Sequence, residues 1–193
     1  MFDWIHFLTY AIATAVTPGP NNIMSMTHAG KLGFKRALPF NLGIWVGFSI
    51  VMTGCALLCG LLSAVIPRIK TPMLVVGAAY MLWLAWKTLR DTSEIEEKHA
   101  QRGFFSGLSL QFVNPKIYIY GIVSMEAYVL PAFSGQPLAL FGFAMLLAFI
   151  GFAFTLLWSA FGSVFKLLFS KYARITNFIM AALLVYCAVS LFL

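Results

Sequence analysis

The chain has 193 residues, of which 61% are hydrophobic and only 10% charged. A soluble domain carries about 25% charge and about 45–50% apolar residues, so water is the wrong solvent for this one. The net charge of +7 comes from 13 basic residues spread thinly between apolar runs. That pattern sets membrane orientation and argues against a nucleic-acid surface. A separate Rossmann, barrel or nucleic-acid-binding domain has no room.

A bilayer-crossing helix needs about 20 mostly apolar residues, and six such spans are expected. They run over 4–27, 39–66, 71–89, 103–130, 137–165 and 172–193. The first has a short apolar run and then Ala13-Thr14-Ala15, like a signal peptide. It has no Lys or Arg before Lys31, so a retained helix is expected. Connections are short except for 90–102 (RDTSEIEEKHAQR), which holds four of the six acidic residues.

The first loop carries Lys31, Lys35 and Arg36; the third carries Lys87, Arg90, Lys98 and Arg102; the fifth carries Lys166, Lys171 and Arg174. The second carries only Arg68 and Lys70, and the fourth has neither Lys nor Arg. The odd-numbered loops are therefore expected inside and both termini outside, in the periplasm.

The spans divide into two halves of three, 1–90 and 103–193, joined by a cytoplasmic linker at 91–102. The whole chain reads as one transmembrane domain. The halves begin on opposite sides, so a shared fold would relate them by inversion, a common transporter arrangement. Each half opens with a broken helix. The first span is interrupted at Thr17-Pro18-Gly19-Pro20-Asn21-Asn22, the fourth at Asn114-Pro115-Lys116. Pro18 lies about 14 residues in from outside and Pro115 about 12 from inside; at roughly 1.5 Å per residue both fall near mid-bilayer.

Proline removes a backbone donor and clashes with the preceding turn. In hydrocarbon the freed carbonyls are tolerated only against protein or a water-filled cavity. Amides at the restarted helix attract a carboxylate, and carbonyls across the break accept an ammonium. Asn21, Asn22 and Asn114 offer both donors and acceptors. A zwitterionic amino acid matches this set.

Other polar residues in the spans are candidates. Lys116 follows the second break, where it either binds a carboxylate, pairs with a helix C-terminus or snorkels inward. Gln111 lies one turn before Pro115 and shares its face. Tyr118 and Tyr120 follow. Tyr80, Glu126 and Asn177 are weaker candidates, and Glu126 also reads as an outer-boundary residue. Gly43 with Gly47 and Gly103 with Gly107 form small-residue faces for close helix packing. Cys55, Cys59 and Cys187 lie in apolar runs and read as core. His6, His28 and His99 have no neighbour at metal spacing. No catalytic motif or nucleotide-binding glycine loop is present, so neither an enzyme nor a cofactor or metal site is expected.

Thr17-Pro18-Gly19-Pro20-Asn21 resembles the hallmark of the LysE/RhtB amino-acid exporters. The basic loop at 30–36 (GKLGFKR), the Gly43 and Gly47 segment, residues 77–87 (GAAYMLWLAWK) and residues 111–116 (QFVNPK) fit the same family. The likeness covers essentially the whole chain. Residues 110–114, Tyr120-Gly121 and 182–189 (ALLVYCAV) are most similar to the branch exporting cysteine and O-acetylserine, although Pro115 follows the general family pattern and departs from that branch.

The resemblance implies a secondary-active exporter in the bacterial inner membrane. Its expected partners are a small amino acid, protons as coupling ion and the bilayer; homo-oligomerisation stays open. The expected site comprises Thr17, Pro18, Gly19, Pro20, Asn21, Asn22, Gln111, Asn114, Pro115, Lys116 and Tyr118. Export of homoserine, threonine or basic amino acids is the alternative within the family. A non-transporting structural or receptor-like module is the alternative outside it.

Overall fold

The structure is a computed structural model that describes residues 2–90 and 99–192. Side chains at 59–70, 99–102, 168 and 170 are outside the description. The expected linker at 91–102 and the side chains of Arg68, Lys70, Cys59 and His99 therefore fall wholly or largely outside the described residues. Everything else that is regular is helical, so the all-α expectation stands.

Helix α1 (Trp4–Val16) starts at Asp3, whose carboxylate accepts from the His6 amide. It stops because the residue before a proline is pushed out of the helical region, and Thr17 is extended at φ −62°, ψ 147°. Gly19 is extended too, and Pro20 opens α2 (Pro20–Leu32) at the position where its missing N–H costs nothing. Gly33, at φ 86°, caps α2 in a conformation that favours glycine, and its amide donates to Ala29 O. The first expected span is thus two 13-residue helices.

The second and third expected spans depart from expectation. Residues Phe34–Arg90 form one helical stretch, α3. The expected break near 67–70 is helical backbone, and the departure comes earlier, at Leu58 (φ −112°, ψ 16°). Pro67 does not stop the helix there. The apolar portions are Phe34–Leu58 and Thr71–Arg90.

Helix α4 (His99–Val113) and α5 (Pro115–Val123) are separated by Asn114, extended at φ −90°, ψ 102° ahead of Pro115. A widened π-helical segment, Ser124–Val129, follows and runs into the short α6 (Leu130–Phe133). Pro131 lacks an amide for that turn, and the helix widens directly before it. Helix α7 (Pro137–Val164) matches the fifth expected span, with Pro137 in its first turn. A short α8 (Lys166–Lys171) takes the place of the expected last loop, before α9 (Ala173–Val189).

Among the described residues, three helical stretches are long and apolar enough to cross a membrane: Phe34–Leu58, Thr71–Arg90 and Pro137–Val164. Trp4–Val16, Gly103–Val113 and Ala173–Val189 are apolar but shorter. Many large apolar side chains point outward, including Ile5, Leu138 and Leu167. A surface that apolar is one a bilayer covers.

Inside the bundle, α3 packs closely on α4. A side chain on Gly43 would run into the Phe104 carbonyl, and one on Gly107 into the Phe40 carbonyl. Gly47 faces Gln111 Cγ. Gly103 is less crowded, with Phe40 Cβ 3.7 Å from where its own Cβ would stand. The buried apolar residues form two clusters. One joins α1, α3, α5, the π-helical segment and α7 around Phe7, Phe48, Tyr120 and Leu147. The other joins α2, α3, α4 and α9 around Ile23, Ile44, Met81 and Leu184.

Candidate functional site

The two helix breaks meet in space. Lys116, from the second break, reaches the first: its Nζ donates to Thr17 Oγ1 (2.8 Å), Thr17 O (3.2 Å) and Pro18 O (3.3 Å). Asn114 Nδ2 donates to Asn21 Oδ1 at 3.3 Å. Asn21 and Gln111 exchange amide bonds, Asn21 Nδ2 to Gln111 Oε1 at 2.8 Å and Gln111 Nε2 to Asn21 Oδ1 at 3.1 Å. Gln111 Nε2 also donates to Gly107 O. All of Asn21, Asn22, Gln111 and Asn114 are buried.

A helix end leaves its last carbonyls without partners, and a buried one costs free energy comparable to a lost hydrogen bond. At the end of α1 the carbonyls are accounted for individually. Thr14 O accepts from the Thr17 hydroxyl. Ala15 O and Thr17 O accept from Asn22 Nδ2, each at 2.9 Å. Val16 O accepts from Trp158 Nε1 of α7 at 3.2 Å. Thr17 O and Pro18 O accept from Lys116. The broken backbone is held by side chains.

The two helix starts differ. Asn114 Oδ1 accepts from the Lys116 amide at 3.2 Å, so α5 is already capped. Gly19 has no side chain to cap α2, and Pro20 brings no N–H. The first amides of α2 keep the partial positive charge of an uncapped helix start.

A cavity of about 360 Å³ lies at this junction, walled by Thr17, Pro18, Gly19, Asn114 and Lys116 on its polar side. Met81, Ile119, Cys187 and Leu191 make the apolar side. Thr17, Pro18, Tyr186 and Ser190 in its wall are exposed, so it opens to the surface there. A smaller pocket of about 40 Å³ adjoins it, reaching Asn21, Asn22, Phe48, Gly151 and Thr155. Thr14, Gly19, Pro20, Asn114, Lys116 and Tyr120 border both. The combination of apolar walls and a few convergent polar groups is what small-molecule sites have. Among the described residues, Lys116 is the single charged one in either wall.

Of the residues expected from sequence, Thr17, Pro18, Gly19, Pro20, Asn21, Asn22, Asn114 and Lys116 line the cavity pair. Gln111 stands behind them, bonded to Asn21, and Pro115 packs against Gly77. Tyr118 lies apart, its hydroxyl donating to Phe112 O. Tyr120 takes the wall position instead, with its hydroxyl donating to Leu147 O at 3.4 Å. Tyr80 packs on Trp83, Glu126 is exposed on the π-helical segment, and Asn177 is buried in α9. Sequence reasoning missed Thr14, Phe48, Gly151, Thr155, Met81, Tyr186 and Cys187. None carries a local signal of its own, because helix packing alone brings them here.

The family model for the LysE type translocator matches residues 12–193. The chain is similar to the cysteine/O-acetylserine efflux protein of Klebsiella pneumoniae, 41% identical over 186 residues that cover 96% of this chain and 94% of that one. It is also similar to the protein of that name from Escherichia coli K12, 39% identical over 188 residues, covering 96% and 95%. No solved structure matches. This chain therefore belongs to the LysE family of membrane translocators.

Proposed function

We propose that this protein exports small amino acids across the bacterial inner membrane, with cysteine and O-acetylserine as its main substrates. The observation that carries the reading is the meeting of two helix breaks at a polar-ended cavity of about 360 Å³. The substrates follow from relatives named as cysteine/O-acetylserine efflux proteins. The substrate carboxylate sits at the uncapped start of α2, beside Asn21 and Asn22. Asn114 orients it, Gln111 holds Asn21 in place, and the side chain extends toward Met81, Ile119 and Cys187. Lysine fits less well, because the charged group in the cavity wall is itself a cation.

The wider architecture we read as six spans in two inverted halves, 1–90 and 103–193, with 91–102 as a cytoplasmic linker and both termini periplasmic. The concentration of Lys and Arg at the odd-numbered loops supports the orientation. The contact between the two breaks supports the pairing of halves, since inverted repeats place their sites where discontinuous helices meet. Rocking of one half against the other would expose the cavity alternately, with protons driving the cycle.

Counterflow in proteoliposomes tests the function. Vesicles loaded with cysteine should accumulate labelled cysteine and O-acetylserine, and an imposed pH gradient should change the rate. No counterflow with cysteine, O-acetylserine, threonine, homoserine or lysine would leave a non-transporting module. Counterflow with threonine and homoserine but without cysteine would move the chain to another branch of the family.

A further inference from the structure

We propose that the carbonyl oxygens of Thr17 and Pro18, with the Thr17 hydroxyl, form the ammonium-binding half of the substrate site, and that Lys116 occupies it as a tethered stand-in. The inference rests on the amino-acid reading above and deepens it. An ammonium has three donors and no acceptor. Lys116 Nζ meets three oxygens, at 2.8, 3.2 and 3.3 Å. The same three oxygens present the same geometry to the α-ammonium of a free amino acid.

Three further observations favour exchange over a permanent strut. First, all three acceptors are uncharged, so no ion pair locks Lys116 in place. Second, Thr17, Pro18 and Lys116 all lie in the wall of the larger cavity, within reach of a ligand. Third, the stem lies over Gly19, where a Cβ would stand 3.1 Å from Nζ and 3.2 Å from Cδ. The missing side chain at Gly19 leaves the slot the lysine stem uses. The other carbonyls at the end of α1 are held by Asn22, Trp158 and Thr17, on shorter or stiffer side chains.

When a substrate ammonium takes these oxygens, Lys116 is released and turns to the substrate carboxylate. Charge stays balanced, because a zwitterion brings one cation and one anion. An amine without a carboxylate would leave two cations in one cavity of low polarity, which is unfavourable. The site therefore selects for ligands bearing both groups.

Equilibrium binding to the purified protein, with cysteine and its carboxylate-free analogue cysteamine, tests this. Wild type should bind cysteine and not cysteamine. Lys116→Gln vacates the ammonium site, so cysteamine binding should rise at least about tenfold, the scale of one charge-assisted hydrogen bond, while cysteine binding falls. A merely structural lysine would give a loss of cysteine binding with no gain for cysteamine, and that result overturns the inference. If wild type binds no amino acid, the transporter reading itself fails and takes the inference with it. Should Lys116→Gln not fold, the isotope-labelled Lys116 ammonium resonance of wild type, assigned with Lys116→Arg, decides. It should shift on saturation with cysteine; an unchanged resonance overturns the exchange.

Discussion

Asn21 and Gln111, 90 residues apart in the chain, close a two-bond amide ring at 2.8 and 3.1 Å. The ring ties the helix that restarts after the first break to the helix that ends at the second. Removing one partner leaves buried polar atoms unpaired, at about 1–3 kcal/mol. Asn21→Ala should be the more damaging, since Asn114 Nδ2 loses its acceptor as well. Thermal unfolding in detergent of both single variants and the double should give a coupling energy of about 0.5–3 kcal/mol. Strict additivity would mean that the two amides act independently.

The glycines of α3 give a paired test of packing. A methyl group on Gly43 meets the Phe104 carbonyl, a backbone atom that cannot swing aside. Gly43→Ala should therefore lower stability by about 1–3 kcal/mol, the usual cost of overpacking. Gly54 has nothing within 4 Å of its would-be Cβ. Gly54→Ala should be neutral or gain up to about 1 kcal/mol from helix propensity. Equal effects at the two positions would contradict the close approach of α3 and α4.

The breaks were legible in the sequence because proline acts locally. Pro18, Pro20 and Pro115 each remove a donor, and the rings of Pro18 and Pro115 push the preceding Thr17 and Asn114 into the extended region. Pro137 marked the start of α7 in the same way. The departure at Leu58 was not legible, because no proline stands at that residue, while Pro67 is accommodated in helical backbone. The cavity wall was half legible. Its polar rim comes from the breaks, whereas Phe48, Gly151, Thr155 and Cys187 arrive from α3, α7 and α9 through packing.

Tyr118 and Tyr120 show how fine that limit is. They are two positions apart, which puts them about 200° apart around a helix. Sequence favoured Tyr118, yet Tyr120 borders both cavities. Tyr118→Phe should leave cysteine counterflow at the wild-type rate, because its hydroxyl donates to Phe112 O on a partly exposed face and borders neither cavity. Tyr120→Ala should reduce it strongly, by opening the wall between the cavity and Phe48. Loss of counterflow in Tyr118→Phe with Tyr120→Ala unaffected would remove the cavity from the transport path.

Asp3 caps α1 outside the apolar span. Its carboxylate accepts from the His6 amide at 3.1 Å and meets His6 Nδ1 at 2.6 Å. The His6 backbone bond, followed by its side chain, holds the carboxyl below the ordinary value of 3.8. A depressed carboxylate contributes stability above its unfolded value and loses it as the pH falls through the folded one. The cap should thus be intact at neutral pH and lost only below pH 3.8. Carboxyl titration by NMR should give a midpoint under that value, and amide exchange at His6 should quicken in Asp3→Ala. A midpoint above it would show that the cap bond does not form.

Trp158 joins α7 to the end of α1, since its Nε1 donates to Val16 O at 3.2 Å. Trp158→Phe keeps an aromatic ring and removes only that donor. The loss of that one hydrogen bond should cost about 0.5–1.5 kcal/mol. The mechanical consequence is larger, because the freed carbonyl belongs to the turn that presents Thr17 and Pro18 to the cavity. Counterflow should fall in Trp158→Phe, and amide exchange should rise at Thr17 and Gly19. Trp83→Phe is the control: Trp83 is exposed on α3, packed against Tyr80 and lying under Lys87, and borders neither cavity. Its substitution should leave both measurements unchanged. If the two variants behave alike, the bond from α7 does not hold the break in shape.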